Sequence, residues 1–159
     1  TIQEGLENID RKLVAPTKRV DMLNNELNVL AAKMKDMEYL ISQDPNITKG
    51  GYKGRSGDEF VRTASHLRRP GAFNTDKMSD AQRIIYDSYF REMDLGLAGR
   101  RDRFDVDALV EDYNDFLKYY KQKEAERDRV KERRQALTRA KKTLSGQLEK
   151  AKEFKEKDK

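Results

Sequence analysis

The sequence has no cysteine and no tryptophan, only three prolines and nine glycines in 159 residues, and one histidine. The missing cysteine excludes a disulfide framework, a thiolate nucleophile and a cysteine-based metal site, and it points to an intracellular setting. With His66 as the sole histidine, a multi-histidine metal centre and a histidine-cysteine pair are excluded within one chain. Scarce glycine and proline argue against an all-β or doubly wound fold, which needs frequent turns. Long apolar runs are lacking too. No stretch of about 18 apolar residues occurs, and the N-terminal region has no basic flank ahead of an apolar core, so neither a membrane span nor a signal peptide is expected.

Apolar material is itself short: 36% of the residues are hydrophobic and 40% are charged, against roughly 45–50% and 25% in an ordinary globular domain. The charge is nearly balanced, 34 basic against 29 acidic residues. That balance suits exposed helix faces laced with ion pairs and fits poorly with a self-repelling disordered tail.

What the chain does have is a seven-residue hydrophobic repeat at its start: Ile2, Leu6, Ile9, Leu13, Pro16, Val20, Leu23, Leu27, Leu30, Met34, Met37 and Ile41. A 3,4 spacing over more than five heptads places these groups in a narrow stripe along one helix, which is buried only against another helix. The spacing of Thr1 to Glu4 matches a capping box, and Asp44-Pro45-Asn46 is a breaker. One helix over 2–42 follows, roughly 60 Å long at 1.5 Å per residue. Pro16 removes an amide donor in mid-helix, so a kink or short break is expected there.

The connector over 44–103 has a different character. Lys49-Gly50-Gly51-Tyr52-Lys53-Gly54-Arg55-Ser56-Gly57 reads as a basic glycine-rich loop, and Arg68-Arg69-Pro70-Gly71 as a second breaker. Capping-box spacing at Ser56/Glu59 predicts a short helix over 58–67, and that at Ser79/Gln82 a second helix to about Leu95. The second carries a wide apolar surface, expected to be buried on more than one side, and Gly96 and Gly99 are expected to end it.

Asp105 or Asp107 is placed to cap a final helix over 104–156. Its seam is weaker than the first: Val106, Leu109, Tyr113, Phe116 and Tyr120 lead into Lys123, Arg127, Arg134 and Lys141, with Val130 and Leu137 among them, before Leu144, Leu148 and Ala151. The middle must pack loosely or snorkel its charges to water. Residues 104–120 carry a net charge of −4 and residues 121–159 one of +7, the order that complements the helix macrodipole.

The predicted fold is therefore all-α and elongated: an N-terminal heptad helix (1–43), a connector with two shorter helices (44–103) and a long charged helix (104–159), antiparallel if the long helices pair within the chain. Basic residues facing Leu and Met would leave the first seam under-covered. Leu6, Ile9, Leu13, Val20, Leu23, Leu27, Leu30, Met34, Met37 and Ile41 are accordingly the candidate interface to a second copy, in a homodimer, or to another helical protein.

No catalytic constellation is present. Gly54-Arg55-Ser56 departs from a Walker loop by its arginine, by a misplaced glycine and by the lack of a preceding strand. Asp105, Asp107, Glu111 and Asp112 lack the glycine and twelve-residue frame of a calcium loop. Asn46-Ile47-Thr48 fits a glycosylation sequon, a pattern that arises often by chance. No cofactor and no metal is expected. The leading reading is a non-enzymatic coiled-coil scaffold subunit. The alternative is an RNA- or DNA-binding component that uses Lys49, Lys53, Arg55, Arg68, Arg69, Arg100, Arg101 and Arg103 with the basic last helix. Against it, Tyr113, Phe116 and Tyr120 fall at core spacing rather than on a stacking surface. Electrostatic attachment to an anionic membrane is disfavoured, because no apolar wedge helix accompanies the basic face.

Overall fold

The computed structural model describes residues 1–43, 47–49, 60–62, 74–94 and 96–157. It is an all-α architecture of two long helices packed against each other. Helix α1 spans Ile2–Ile41 and the last helix, α3, spans Val106–Lys157. Between them lie strands β1 (Ile47–Lys49) and β2 (Phe60–Arg62), a 3-10 turn over Thr75–Lys77, helix α2 (Asp80–Ser88), and strands β3 (Phe90–Asp94) and β4 (Arg100–Phe104) joined by a 3-10 turn.

The helix ends follow the capping residues. The amide of Glu4 donates to Thr1 Oγ1 at 3.2 Å. Ser79 and Gln82 form a complete capping box at the start of α2. Of the two aspartates placed to open α3, Asp105 does so: its Oδ1 accepts from the amide of Ala108 at 3.0 Å. Helix α1 runs without interruption through Pro16, so the expected break there does not occur.

Two further expectations are corrected. Phe60–Arg62, inside the predicted 58–67 helix, is a strand paired antiparallel with β1, Lys49 opposite Phe60 and Ile47 opposite Arg62; the rest of that segment lies outside the described residues. The second connector helix stops at Ser88 rather than near Leu95, and the chain turns into the β3–β4 hairpin, Phe90 opposite Phe104 and Asp94 opposite Arg100. Gly96 and Gly99 therefore serve a hairpin turn instead of a helix end, and both take positive φ, +66° and +89°, which suits residues without a side chain. With its apolar residues shared between helix and strand, α2 buries only one side: Tyr86 is buried, while Ile84 is 68% exposed.

The molecule divides into two compact units, residues 1–27 with 122–159, and residues 28–121. In the first, α1 and α3 are antiparallel: Gly5 lies by Leu144, Asp10 pairs with Lys141, Arg19 with Glu126 and Glu26 with Lys123, one number rising as the other falls. In the second, the same pattern continues as Lys33 meets Phe116 and Glu38 meets Tyr113.

The second unit holds a core of Met34, Met37, Leu40 and Ile41 from α1, Phe60, Tyr86 and Phe104 from the connector, and Val106, Leu109, Val110, Tyr113 and Leu117 from α3. Tyr86 stacks on Phe104 at 5.0 Å and meets Phe90 edge-on at 4.6 Å. Phe60 meets Tyr113 edge-on at 4.8 Å. Asn114 Oδ1 accepts from the Phe60 amide at 3.1 Å, and its Nδ2 donates to the Phe60 carbonyl at 3.2 Å, so one side-chain amide acts as a strand neighbour and fastens β2 to α3. Gln82 Nε2 donates to Asp36 at 3.3 Å and ties α2 to α1.

Candidate functional site

The candidate seam is largely used within the chain. Val20, Leu23, Leu27, Met34, Met37 and Ile41 are 0–5% exposed and Ile9 is 9% exposed. Leu6, Leu13 and Leu30 are half-buried. The basic stretch of α3 covers more apolar surface than its charges suggest, because the cations are drawn to flanking partners while their stems lie along the seam. Lys123 Nζ reaches Glu26 at 3.6 Å and Glu126 at 3.8 Å, and only 21% of its side chain is exposed. Arg127 donates to Asn24 Oδ1 at 3.3 Å with 23% exposed. Under-coverage was expected opposite Arg127, Arg134 and Lys141, and opposite Arg127 it is absent: Leu23 and Leu27 are among the most buried residues of the first unit.

Coverage weakens toward the far end of this unit. Ile2, Leu6, Leu13 and Pro16 of α1 and Val130, Leu137, Leu144 and Leu148 of α3 are each half-buried. Outside the seam, Val14 and Met22 are 52% and 55% exposed. Lys141 meets Asp10 at 2.7 Å, but both side chains are about half in water. Around Pro16 the helices leave a groove of about 570 Å³, lined by Ala15, Pro16, Val130 and Leu137 with Arg11, Lys12, Arg19 and Arg133 at its edge. The proline explains it: its ring is shorter than the leucines at neighbouring seam positions, and it has no amide hydrogen for the carbonyl of Lys12. Arg19 donates to Glu126 at 2.5 Å and holds that carboxyl below the usual carboxylate range. Arg11, Lys12 and Arg133 have no acidic partner among the described residues.

The second unit carries a groove of about 560 Å³, lined by Leu30, Lys33, Tyr89, Asp112, Asp115, Phe116 and Tyr119. Leu30, Tyr89, Phe116 and Tyr119 give it an apolar and aromatic lining, and Lys33, Asp112 and Asp115 supply its charged groups. The Tyr89 hydroxyl donates to Asp112 Oδ2 at 2.5 Å. Partial burial, and then this hydrogen bond to Asp112, push the phenol well above its ordinary value, so it stays a donor. Lys33 Nζ lies 4.5 Å from the centroid of Phe116, a cation over an aromatic face. The spacing of Asp112, Asp115, Phe116 and Tyr119 places them on one side of α3. The signal was present in the sequence, but Asp112 was weighed there as part of a calcium loop and Phe116 as core.

Among the anion-contact candidates, Lys49 lies in β1 and Arg100, Arg101 and Arg103 lie in β4, where Arg103 is opposite Arg91 and Arg101 opposite Met93. Lys53, Arg55, Arg68 and Arg69 lie outside the described residues, as does His66. Tyr113 is fully buried, and Phe116 and Tyr120 pack against the core. Among the described residues no group of three or more His, Cys, Asp and Glu side chains is arranged to hold a metal ion, and no helix is long and apolar enough to cross a membrane. No protein-family model, curated protein or solved structure matches the chain.

Proposed function

We propose that this chain is a non-enzymatic interaction or scaffolding subunit of the cell interior, which associates through the open side of its first unit with a second copy or another helical protein. The observation that carries this reading is the row of half-buried residues at Leu6, Leu13, Val130, Leu137, Leu144 and Leu148. Two paired helices cover only the line between them. A third or fourth helix completes the burial of such a row, as in helix bundles. The reading draws on half-buried seam residues of the first unit, Leu6 and Leu13 with their neighbours across on α3, rather than on the fully buried ones.

Sedimentation equilibrium over about a hundredfold range of protein concentration tests the reading. The wild type is expected to form a dimer, and Leu6→Gln with Leu148→Gln to reduce it to monomer with unchanged helicity. A wild type that stays monomeric throughout that range defeats self-association.

A second reading, contact with RNA or DNA, draws support from Arg11, Lys12 and Arg133 beside the Pro16 groove, which have no acidic partner among the described residues. It requires retention on nucleic acid that falls steeply with salt and weakens when Arg11 and Arg133 are neutralised. Absence of binding at about 50 mM salt removes it.

A further inference from the structure

Positive charge is gathered around the Pro16 groove of the first unit. The Asp10–Lys141 and Arg19–Glu126 contacts bracket it. The facing stretches they bound, residues 10–19 and 126–141, hold eleven basic and four acidic residues, net +7, in a chain whose whole net charge is +5. None of the four acidic residues lines the groove. Asp10, Glu126 and Asp128 are engaged by Lys141, Arg19 and Arg127, and Glu132 is exposed on α3. Arg11, Lys12 and Arg133, which do line the groove, are exposed and have no acidic partner among the described residues. The apolar part of the lining is Ala15, Pro16, Val130 and Leu137, the first exposed and the other three half-buried. An uncovered aliphatic strip between two paired helices, with unpaired cations beside it, is the complement of a helix whose apolar stripe is flanked by carboxylates.

We propose that the Pro16 groove docks an acidic amphipathic helix of another protein, its apolar side chains against Val130 and Leu137 and its carboxylates at Arg11, Lys12 and Arg133. This docking rests on the reading that the open side of the first unit takes a further helix, and it gives that helix its chemistry. A second copy of this chain does not supply it. The two-fold arrangement usual in dimers sets a patch against itself, which here opposes one +7 cluster to another across a groove with no carboxylate in its lining. The acidic stretch of the chain, residues 104–120 at −4, has its apolar side committed elsewhere: Val106, Leu109, Val110, Tyr113 and Leu117 are buried in the core of the second unit. Self-association falls instead to the far end of the row, at Leu6 and Leu148. Nucleic acid is the other polyanion, but the lining has no aromatic ring on which a base could stack, and phosphate contacts leave the aliphatic strip unused.

Fluorescence anisotropy with a labelled three-heptad peptide, leucine and alanine at a and d and glutamate at e and g, is the test; repulsion between glutamates keeps the peptide from pairing with itself. The full chain is expected to bind it at about 150 mM salt. Changing every glutamate to lysine is expected to abolish binding, and changing the leucines to glutamine, with the glutamates kept, to weaken it by about tenfold or more. These comparisons use the unaltered chain and so stand apart from any effect of substitution on folding. Arg11→Glu with Arg133→Glu is expected to weaken binding by about tenfold or more. Lys152→Glu with Lys155→Glu makes the same change in net charge at exposed positions near the end of α3 and is expected to leave binding unchanged; circular dichroism confirms that both variants are folded. Each of four results overturns the proposal: a lysine peptide that binds as well, a glutamine peptide that binds as tightly as the leucine one, two charge-reversed variants that lose affinity alike, or a duplex oligonucleotide of about twenty base pairs that binds more tightly and displaces the peptide. Sedimentation of the chain alone reports self-association separately. A dimer that ignores the peptide overturns this docking and not self-association, whereas a monomer that binds the peptide supports the docking while self-association fails.

Discussion

Replacing Pro16 with leucine is expected to stabilise the protein, although it changes a seam residue inside helix α1. Two effects act in the same direction. Helix α1 continues unbroken across Pro16, so leucine there restores the amide that the carbonyl of Lys12 lacks and relieves the ring's conflict with the preceding turn; an interior proline is about 3 kcal/mol less favourable than alanine. The leucine side chain also projects into the groove bounded by Val130 and Leu137, where partial burial adds about 1 kcal/mol. Some of this is offset by strain in neighbours that have packed around the ring, so a net gain of about 2–4 kcal/mol is expected. For a chain of this length that raises the midpoint of thermal unfolding by roughly 10 °C. Urea and thermal unfolding followed by far-ultraviolet circular dichroism measure it, and Pro16→Ala separates the backbone part from the groove-filling part. Variants no more stable than the wild type would refute the reasoning, since they would mean that the ring is compatible with this helix and that the groove is not a packing defect.

Asn114→Ala removes both hydrogen bonds to the Phe60 backbone and leaves a partly buried strand unsatisfied; a loss of about 1–3 kcal/mol is expected, with amide exchange accelerated at Phe60 more than in α1. Lys123→Met keeps the stem that covers the seam and removes only part-exposed ion pairs, so it is expected to fall within about 1 kcal/mol of wild type, whereas Lys123→Asp, with no stem and a charge opposed to Glu26 and Glu126, is expected to be clearly destabilised in urea titrations. Tyr89 has a folded-state pKa raised above the ordinary 10, so it binds its proton more tightly in the folded chain. The stability this gives is complete below pH 10 and is lost as the pH rises through the folded value; Tyr89→Phe is expected to flatten that alkaline loss in unfolding curves taken at rising pH.

The long helices and their caps were legible because each rests on a local or strictly periodic signal: Ser79 with Gln82, an aspartate at 105 or 107 ahead of α3, apolar groups at 3,4 spacing. The antiparallel direction followed only on the condition that the two helices pair within the chain. The β3–β4 hairpin was not legible. Its paired positions place Glu92 opposite Asp102 and Arg91 opposite Arg103, like charges that disfavour a hairpin, and its strands have no β-branched residue. What holds it is tertiary: Phe90 and Phe104 at its base, in an aromatic group with Tyr86 and Tyr89. Strand β2 depends in the same way on a residue far along the chain, Asn114. The coverage of the first seam was misjudged for a different reason. Lysine and arginine count as polar in a periodicity reading, yet Lys123 and Arg127 each carry a hydrocarbon stem of three or four methylenes, with an acidic or amide group of α1 placed to take the charge.

The central claim is that the two long helices are zipped within one chain and that association uses what this zipper leaves uncovered. The absence of cysteine allows a direct measurement: Asp10→Cys with Lys141→Cys, joined by a short bis-maleimide in dilute solution, with the products weighed by mass spectrometry under denaturing conditions. Since Asp10 and Lys141 are in contact, the account predicts a cross-linked species with the mass of one chain. Cross-linked dimers with no single-chain product would contradict it, placing the partner of α1 in another molecule.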